Sequence, residues 1–128
     1  MRLHIPIKLP SIANTRVHWR KMARLKIKQR EATAYCMVGK VIPPLPLVVT
    51  ITRIGPRRLD DDNLASACKY IRDQIADVVG TDDGSPLYTW QYRQRARISP
   101  PGAMYQYAVE VEIVQRKEMT DGNESEPR

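Results

Sequence analysis

The chain is predicted to have an α+β fold: one mixed sheet in the order β-α-β-α-β-β, with two helices packed on it. Two patterns predict this fold. Apolar and polar residues alternate in short segments near both ends of the chain, as they do in half-buried strands. Between residues 64 and 79, apolar residues recur instead at helical spacing. With 128 residues, the chain has the length of one ordinary domain.

The amino-terminal third is predicted to hold a strand and a basic helix. The strand, residues 3–9, has alternating apolar residues: Leu3, Ile5, Ile7 and Leu9. Within it, Pro6 favours an edge position or a bulge because proline has no N–H to donate to a neighbouring strand. After a loop, a helix is predicted from about Arg16 to Lys40. Its crowded basic middle leaves two alternatives open there: a loop, or a helix that forms only in the bound state.

The second strand and the second helix are the most clearly patterned elements. A proline-rich break ends before residues 47–54, which are rich in Val, Ile and Thr and predict a strand. The helix that follows has one apolar stripe: Leu64, Ala67, Cys68, Ile71, Ile75, Val78 and Val79. Either Asp61 or Asp62 can serve as its N-cap, and Gly80 can end it.

The remainder of the chain is predicted to contain two strands and a tail. The strands cover residues 87–98 and 104–114, separated by a turn rich in proline and glycine. They complete one domain over residues 1–114. Residues 115–128 have little apolar content, and a disordered polar tail is expected there.

Charge is divided unequally along the chain. Residues 1–59 contain 13 lysines and arginines but one acid, Glu31, whereas residues 60–128 contain 8 lysines and arginines and 13 acids. A basic half attracts a polyanion such as nucleic acid, although a solvated face that only confers solubility is the alternative. The best suppliers of phosphate contacts are the basic residues of the first helix: Arg16, Arg20, Lys21, Arg24, Lys26 and Lys28.

Five aspartates flank the second helix. Asp60, Asp61 and Asp62 precede it, and Asp82 and Asp83 follow it. Neighbouring carboxylates repel one another, and a bound cation relieves that repulsion. Oxygen ligands of this kind suit Mg²⁺, or Mn²⁺ in its place. The alternatives are helix capping for the first group and a turn for the second.

Spacing alone leaves open whether the two groups meet. If the strand continues through Asp62, its period of two places Asp60 and Asp62 on one face. The later pair follows a helix of roughly 17 residues, which rises about 25 Å. A strand that returns antiparallel to this helix would carry the chain back toward the sheet. The preceding Arg57 and Arg58 can either contact phosphate or form salt bridges with the aspartates.

Three segments together resemble RusA-type Holliday-junction resolvases. Their signature is a D-x-D-N run ahead of a helix and a D-D pair after it. In this chain the corresponding segments are Arg58-Leu59-Asp60-Asp61-Asp62-Asn63-Leu64 and Thr81-Asp82-Asp83. The opening Leu9-Pro10-Ser11-Ile12-Ala13-Asn14 is also similar to that family's P-S-x-N element. The resemblance spans roughly residues 5–114.

The resemblance implies a homodimeric, Mg²⁺-dependent endonuclease that makes paired nicks in four-way DNA junctions during recombination and repair. By motif, Asp60 and Asp62 match the family's first two metal carboxylates, and Asp83, or else Asp82, matches the third. The motif asparagines, Asn14 and Asn63, are implied to face nucleic acid. A family lysine one turn into the helix corresponds to Ser66 here, so Lys69, one turn further on, becomes the candidate for stabilising charge.

Two other classes of protein compete with the nuclease. A basic nucleic-acid-binding protein without catalysis fits the same charge distribution, and a small interaction module fits if the acids only cap a helix. The sequence also contains no apolar run of membrane-spanning length. With two cysteines expected to be reduced core thiols, Cys36 and Cys68, a cytoplasmic protein that does not contact a membrane is predicted.

Overall fold

A computed structural model describes residues 1–11, 19–96 and 107–117 of the chain. The elements in chain order are β1 (Arg2–Ile5), α1 (Trp19–Met37), β2 (Leu47–Gly55), α2 (Asp61–Ala67), α3 (Lys69–Val79), β3 (Tyr88–Ala96) and β4 (Ala108–Gln115). The four strands form one sheet in the order β1-β4-β2-β3. In this sheet β4 is antiparallel to both β1 and β2, whereas β2 and β3 are parallel.

The predicted α+β class and the single mixed sheet are confirmed, but the number of helices was wrong. The described residues contain three helices, because the predicted second helix is divided at Cys68. Cys68 has φ −85° and ψ 0°, away from the usual helical ψ, and serves as both the C-cap of α2 and the N-cap of α3. The apolar stripe does not reveal this break, because Leu64 before it, Cys68 at it and Ile71 after it are all buried.

The ends of the elements differ from the predicted ones for local reasons. The strand β1 ends at Ile5 because Pro6 cannot donate to a ladder, although Ile7 and Leu9 stay buried as the alternation predicts. Helix α1 continues through its charged middle, whose basic side chains are exposed. The predicted start of this helix at Arg16 and most of the predicted tail, residues 118–128, lie outside the described residues.

The helices cover one face of the sheet. The core between them is built mainly from aliphatic side chains: Leu3, Ile5, Leu9, Leu47, Val49, Ile51, Leu64, Ile71, Ile75, Val109, Val111 and Ile113. Charged residues on the opposite face form exposed ion pairs, Arg2 with Glu112 and Arg95 with Glu110. Within the described part of the chain, no helix combines the length and the apolar character that crossing a bilayer requires.

The topology decides which ends of the elements lie together. Strands β1 and β2 are both antiparallel to β4, so they point in the same direction and end at the same edge of the sheet. Helix α2 begins after β2 and therefore starts near this edge. Helix α1 runs antiparallel to β1, since the Cys36 thiol contacts the His4 carbonyl whereas Arg24, earlier in the helix, lines a groove with Ile7. The amino-terminal half of α1 thus lies toward that edge too.

Candidate active site

The first group of acids forms the start of α2. Strand β2 ends at Gly55, ahead of Pro56, and the acidic run does not continue it. Asp60 is the N-cap, with φ −70° and ψ 168°, and its Oδ1 accepts a hydrogen bond from the Asn63 N–H at 3.0 Å. The prediction that Asp61 or Asp62 caps this helix was therefore wrong. The condition for placing Asp60 and Asp62 on one strand face, a strand that continues through Asp62, is not met.

Capping explains one of these carboxylates fully and the other two in part. Asp61 and Asp62 occupy the first turn of α2, where negative charge interacts favourably with the helix dipole. Their side chains are exposed and have no hydrogen-bond or ion-pair partner within residues 1–11, 19–96 and 107–117. Leu64, on the same helix, is buried in the core, whereas the acids face solvent.

A buried arginine, which the sequence-based reasoning missed, links the first motif segment to the loop just before the second. Arg53 is 6% exposed. Its Nε donates to the Leu9 carbonyl at 2.7 Å and its Nη1 to the Arg57 carbonyl at 2.6 Å. Burial lowers the pKa of this guanidinium. Arg53 thereby holds the end of the amino-terminal segment against the loop that leads to Asp60.

Strand β3 anchors the segments on both sides of the α2–α3 unit. At one end, the Gln94 side chain accepts from the Leu59 N–H at 2.9 Å and donates to the Leu59 carbonyl at 2.6 Å. Nearer its start, Trp90 Nε1 donates to the Asp83 carbonyl at 2.9 Å. Trp90 and Gln94 are about 13 Å apart along an extended strand. The two acid-bearing segments are thus bound to the same strand at different positions along its length.

Both acids of the second group, Asp82 and Asp83, already have partners within the protein. Asp82 Oδ2 accepts from the Gly84 N–H at 3.0 Å, the contact expected if this pair belongs to a turn. Asp83 Oδ2 lies 3.0 Å from Arg72 Nε, with the two side chains 30% and 29% exposed. The Nε–H of Arg72 has no hydrogen-bond partner, so this contact is an ion pair without an aligned hydrogen bond.

The predicted metal ligands fit a hard cation by donor type, but they do not meet. Asp60 and Asp62 offer exposed carboxylate oxygens at one helix start, and Asp83 lies against Arg72 instead. The part of the chain that the structure describes contains no group of three or more His, Cys, Asp or Glu side chains that could hold a metal ion. The ligand set therefore stays a prediction, and it requires Asp83 to leave its arginine.

The cations predicted near the acids have different surroundings. Lys69, at the start of α3, is 55% exposed, and its Nζ lies 3.6 Å from Asp73 Oδ2, one turn along the same helix. Arg57 and Arg58 are exposed and form no ion pair with another described residue, so the alternative of salt bridges to the aspartates is not seen there. Both arginines are available to an anion from solvent.

The basic residues of α1 that the structure describes form an exposed surface, here called the α1 basic face: Arg20, Lys21, Arg24, Lys26 and Lys28. Arg16 and Asn14 lie outside the described residues. Arg30 is excluded from this face because it donates to Gln74 Oε1 at 2.9 Å and pairs with Asp77. Asn63 is half-buried beside the acids, and its backbone N–H donates to Oδ1 of the cap residue Asp60.

Both cysteines are free thiols, and Cys68 is buried in the core, whereas Cys36, also predicted to be a core thiol, is only half-buried. Burial raises the pKa of Cys68 to about 12, which keeps this thiol protonated at neutral pH. Cys68 packs in the core at the α2–α3 break and offers no nucleophile to the site.

Comparisons with protein-family models, with curated proteins and with solved structures found no match to this chain. What the chain does is therefore inferred from its own residues and their positions.

Proposed function

We propose that this chain is a Mg²⁺-dependent endonuclease that resolves four-way DNA junctions by paired nicks, in recombination and repair. The observation that supports it most is at one edge of the sheet. Three exposed carboxylates lie at the start of α2. The α1 basic face extends toward the same edge of the sheet. A nuclease needs both parts, since cations bind the phosphates of the substrate and carboxylates bind the metal.

The candidate residues divide into two roles. Asp60, Asp62 and Asp83 would hold the metal, with Mn²⁺ able to replace Mg²⁺. When bound, such an ion lowers the pKa of a coordinated water and polarises the phosphate. The exposed Arg57 and Arg58, with Lys69, supply positive charge that offsets the charge gained by the phosphate during cleavage.

Recognition of the substrate falls to residues outside the acid group. The α1 basic face and Arg16 bind phosphates, and the motif asparagines, Asn14 and Asn63, contact the nucleic acid. A homodimer in the cytoplasm completes the proposal, because a two-fold axis matches the symmetry of a four-way junction and places two cuts symmetrically. Analytical ultracentrifugation of the purified chain, alone and with a junction, measures the dimer.

The decisive experiment is cleavage of a synthetic four-way junction at low salt in Mg²⁺ or Mn²⁺. Wild-type protein should produce paired nicks, and Asp62→Asn should lose more than about a hundredfold in rate because a ligand charge is removed. Asp61→Asn is the matched control. It removes the same charge from the same helical turn but lies outside the D-x-D-N pattern, so it should keep activity within about threefold.

Binding of the uncut junction separates a catalytic role from a structural one. Asp62→Asn should bind the junction at least as tightly as wild type, because a negative charge near phosphate has been removed. Weaker binding by this variant would indicate that the aspartate supports the fold. Junctions left uncut by wild type in both metals would reject the endonuclease.

The second candidate is a nucleic-acid-binding protein without catalysis. Two observations favour it: Ser66 stands where the resemblance requires a lysine, and Asp83 is paired with Arg72. This protein would bind junction or duplex with steep salt dependence, unaffected by EDTA and without product. For an interaction module whose acids only cap α2, a thermal-shift titration should show no stabilisation by millimolar Mn²⁺.

A further inference from the structure

The outer side of β1 is an open edge of the sheet. Strand β1 comes first in the order β1-β4-β2-β3, and no other strand of the described residues pairs with it. On its inner side, the Met1 nitrogen donates to the Ile113 carbonyl at 3.0 Å, and the Ile113 N–H donates to the Met1 carbonyl at 2.8 Å. Bonded pairs alternate along an antiparallel ladder. Leu3 therefore also bonds to β4, whereas the backbone N–H and C=O groups of Arg2 and His4 point outward.

An apolar groove of about 870 Å³ runs beside this edge, between β1 and one face of α1. Its apolar lining includes Ile7, Ile27 and Tyr35. The side chains of Ile27 and Tyr35 are 56% and 81% exposed. The Cys36 thiol lies 3.5 Å from the His4 carbonyl, which places this turn of α1 directly beside the open edge. Exposed apolar residues next to free backbone groups indicate a surface that another chain covers.

We propose that β1 of a second copy of this chain pairs antiparallel with β1, so that two four-stranded sheets become one sheet of eight strands. With Leu3 on the two-fold axis, Arg2 of each copy lies opposite the partner's His4. Each of these pairs exchanges two backbone hydrogen bonds through the groups that point outward in the single copy. Because Pro6 limits the paired segment, the groove supplies the rest of the contact. This interface deepens the proposed function and depends on it only for the homodimer.

The side chains along this edge favour a second copy as the occupant. Leu3 is buried on the helix side, so its neighbours Arg2 and His4 project from the open face. There Arg2 Nη2 lies 3.0 Å from Glu112 Oε2, and His4 Nδ1 lies 3.4 Å from Glu110 Oε2. Across the interface, the row of side chains reads Glu112, Arg2, the partner's His4 and the partner's Glu110. Each basic group is thus next to a carboxylate of its own chain, and no two carboxylates are neighbours.

The pairing also fixes how the helices of the two copies are arranged. The two-fold axis of an antiparallel strand pair is perpendicular to the sheet, so the helices of both copies lie on the same face. The two α1 basic faces are then on one side of the dimer. Because the paired strands point in opposite directions, α2 begins at opposite ends of the sheet in the two copies. A four-way junction on this side meets one group of acids at each end.

The dissociation constant of the dimer tests the strand pairing, measured by sedimentation equilibrium without DNA or metal. His4→Pro removes an N–H that points outward, while the bonds of β1 to β4 remain. It should raise the dissociation constant at least about tenfold, because each copy loses one donor at the interface. His4→Ala is the matched control. It removes the same side chain but keeps the N–H, so it should change the constant by less than about threefold.

A second variant tests the groove without altering the strand. Tyr35→Glu places a charge where the partner covers apolar surface and should raise the dissociation constant at least about tenfold. Its control is Val78→Glu, which adds the same charge at an exposed apolar residue of α3, outside the groove. This control should stay within about twofold of wild type. Circular dichroism establishes that each variant is folded before measurement.

A wild-type chain that stays monomeric at about 100 µM would overturn the proposal. A dimer that His4→Pro weakens no more than His4→Ala would also overturn it. So would a dimer that Tyr35→Glu weakens no more than Val78→Glu. These last two results would reject this interface and keep the homodimer of the proposed function. Junctions left uncut by a dimer that shows both effects would reject the nuclease and keep the interface.

Discussion

At the scale of single residues, a buried arginine connects segments next to the candidate site. Arg53 lies within the buried face of β2 and binds the backbone carbonyls of Leu9, in the first motif segment, and of Arg57, just before the second. The period of two in β2 puts Arg53 on the same face as Leu47, Val49 and Ile51, so a charged residue at a core position was the signal to notice. A buried charge in such a position is retained where it is hydrogen-bonded.

Arg53→Gln should lower the free energy of unfolding by about 2–4 kcal/mol, because it leaves the buried Leu9 carbonyl and the partly buried Arg57 carbonyl without their donor. Urea denaturation at neutral pH measures the change. The control is Arg95→Gln, which removes an arginine that is 53% exposed and paired with Glu110. Exposed pairs contribute about 0–1 kcal/mol, so this loss should be much smaller. Equal losses for the two variants would contradict the role given to Arg53.

At the scale of elements, the start of α2 combines a structural and a proposed functional role in one residue. Asp60 caps the helix through Oδ1, and it is also a candidate metal ligand. The two roles depend on different properties: capping needs an acceptor oxygen, whereas metal binding needs negative charge. Substitutions that change one property at a time can therefore separate them.

Asp60→Asn should keep the stability of the wild type within about 0.5 kcal/mol, because asparagine accepts the same hydrogen bond. Asp60→Ala should lose about 1 kcal/mol, as removal of a cap does. Thermal and urea unfolding measure both changes. If Asp60 binds metal, the two variants should be equally poor at cleaving junctions despite their different stabilities. Activity that follows stability would indicate that Asp60 acts only as a cap.

At the scale of the whole molecule, the fold puts opposite charges near one edge of the sheet. Strands β1 and β2 end there, α2 begins there with its acids, and the amino-terminal half of α1 extends toward it. The cations and the acids are distant in sequence, so this arrangement results from the shared direction of the two strands. A phosphate backbone that crosses the α1 basic face would pass the acids.

Arg24→Gln on the α1 basic face should weaken junction binding and reduce the slope of log affinity against log salt by about one, as expected for one lost phosphate contact. Lys40→Gln is the control. Lys40 is also exposed, but it follows the carboxyl end of α1 and lines the open face of the sheet with Arg2. Its substitution should leave the slope unchanged. Fluorescence anisotropy over a range of salt concentrations measures both, and equal slopes for the two variants would contradict the proposed surface.

The sequence by itself determined the features that depend on neighbours a few residues away. Alternation predicted the first and last strands, the apolar stripe predicted the helical segment, and Gly80 ends it as predicted, with φ 88° in the left-handed region. The cap at Asp60 is also a local contact, although the predicted cap was Asp61 or Asp62. Tertiary structure decided the contacts of Arg53 with Leu9 and of Arg72 with Tyr92. Leu9 and Arg53, or Arg72 and Tyr92, are far apart along the chain. Only the packing of the sheet against its helices brings such polar groups together, and no local period carries that information.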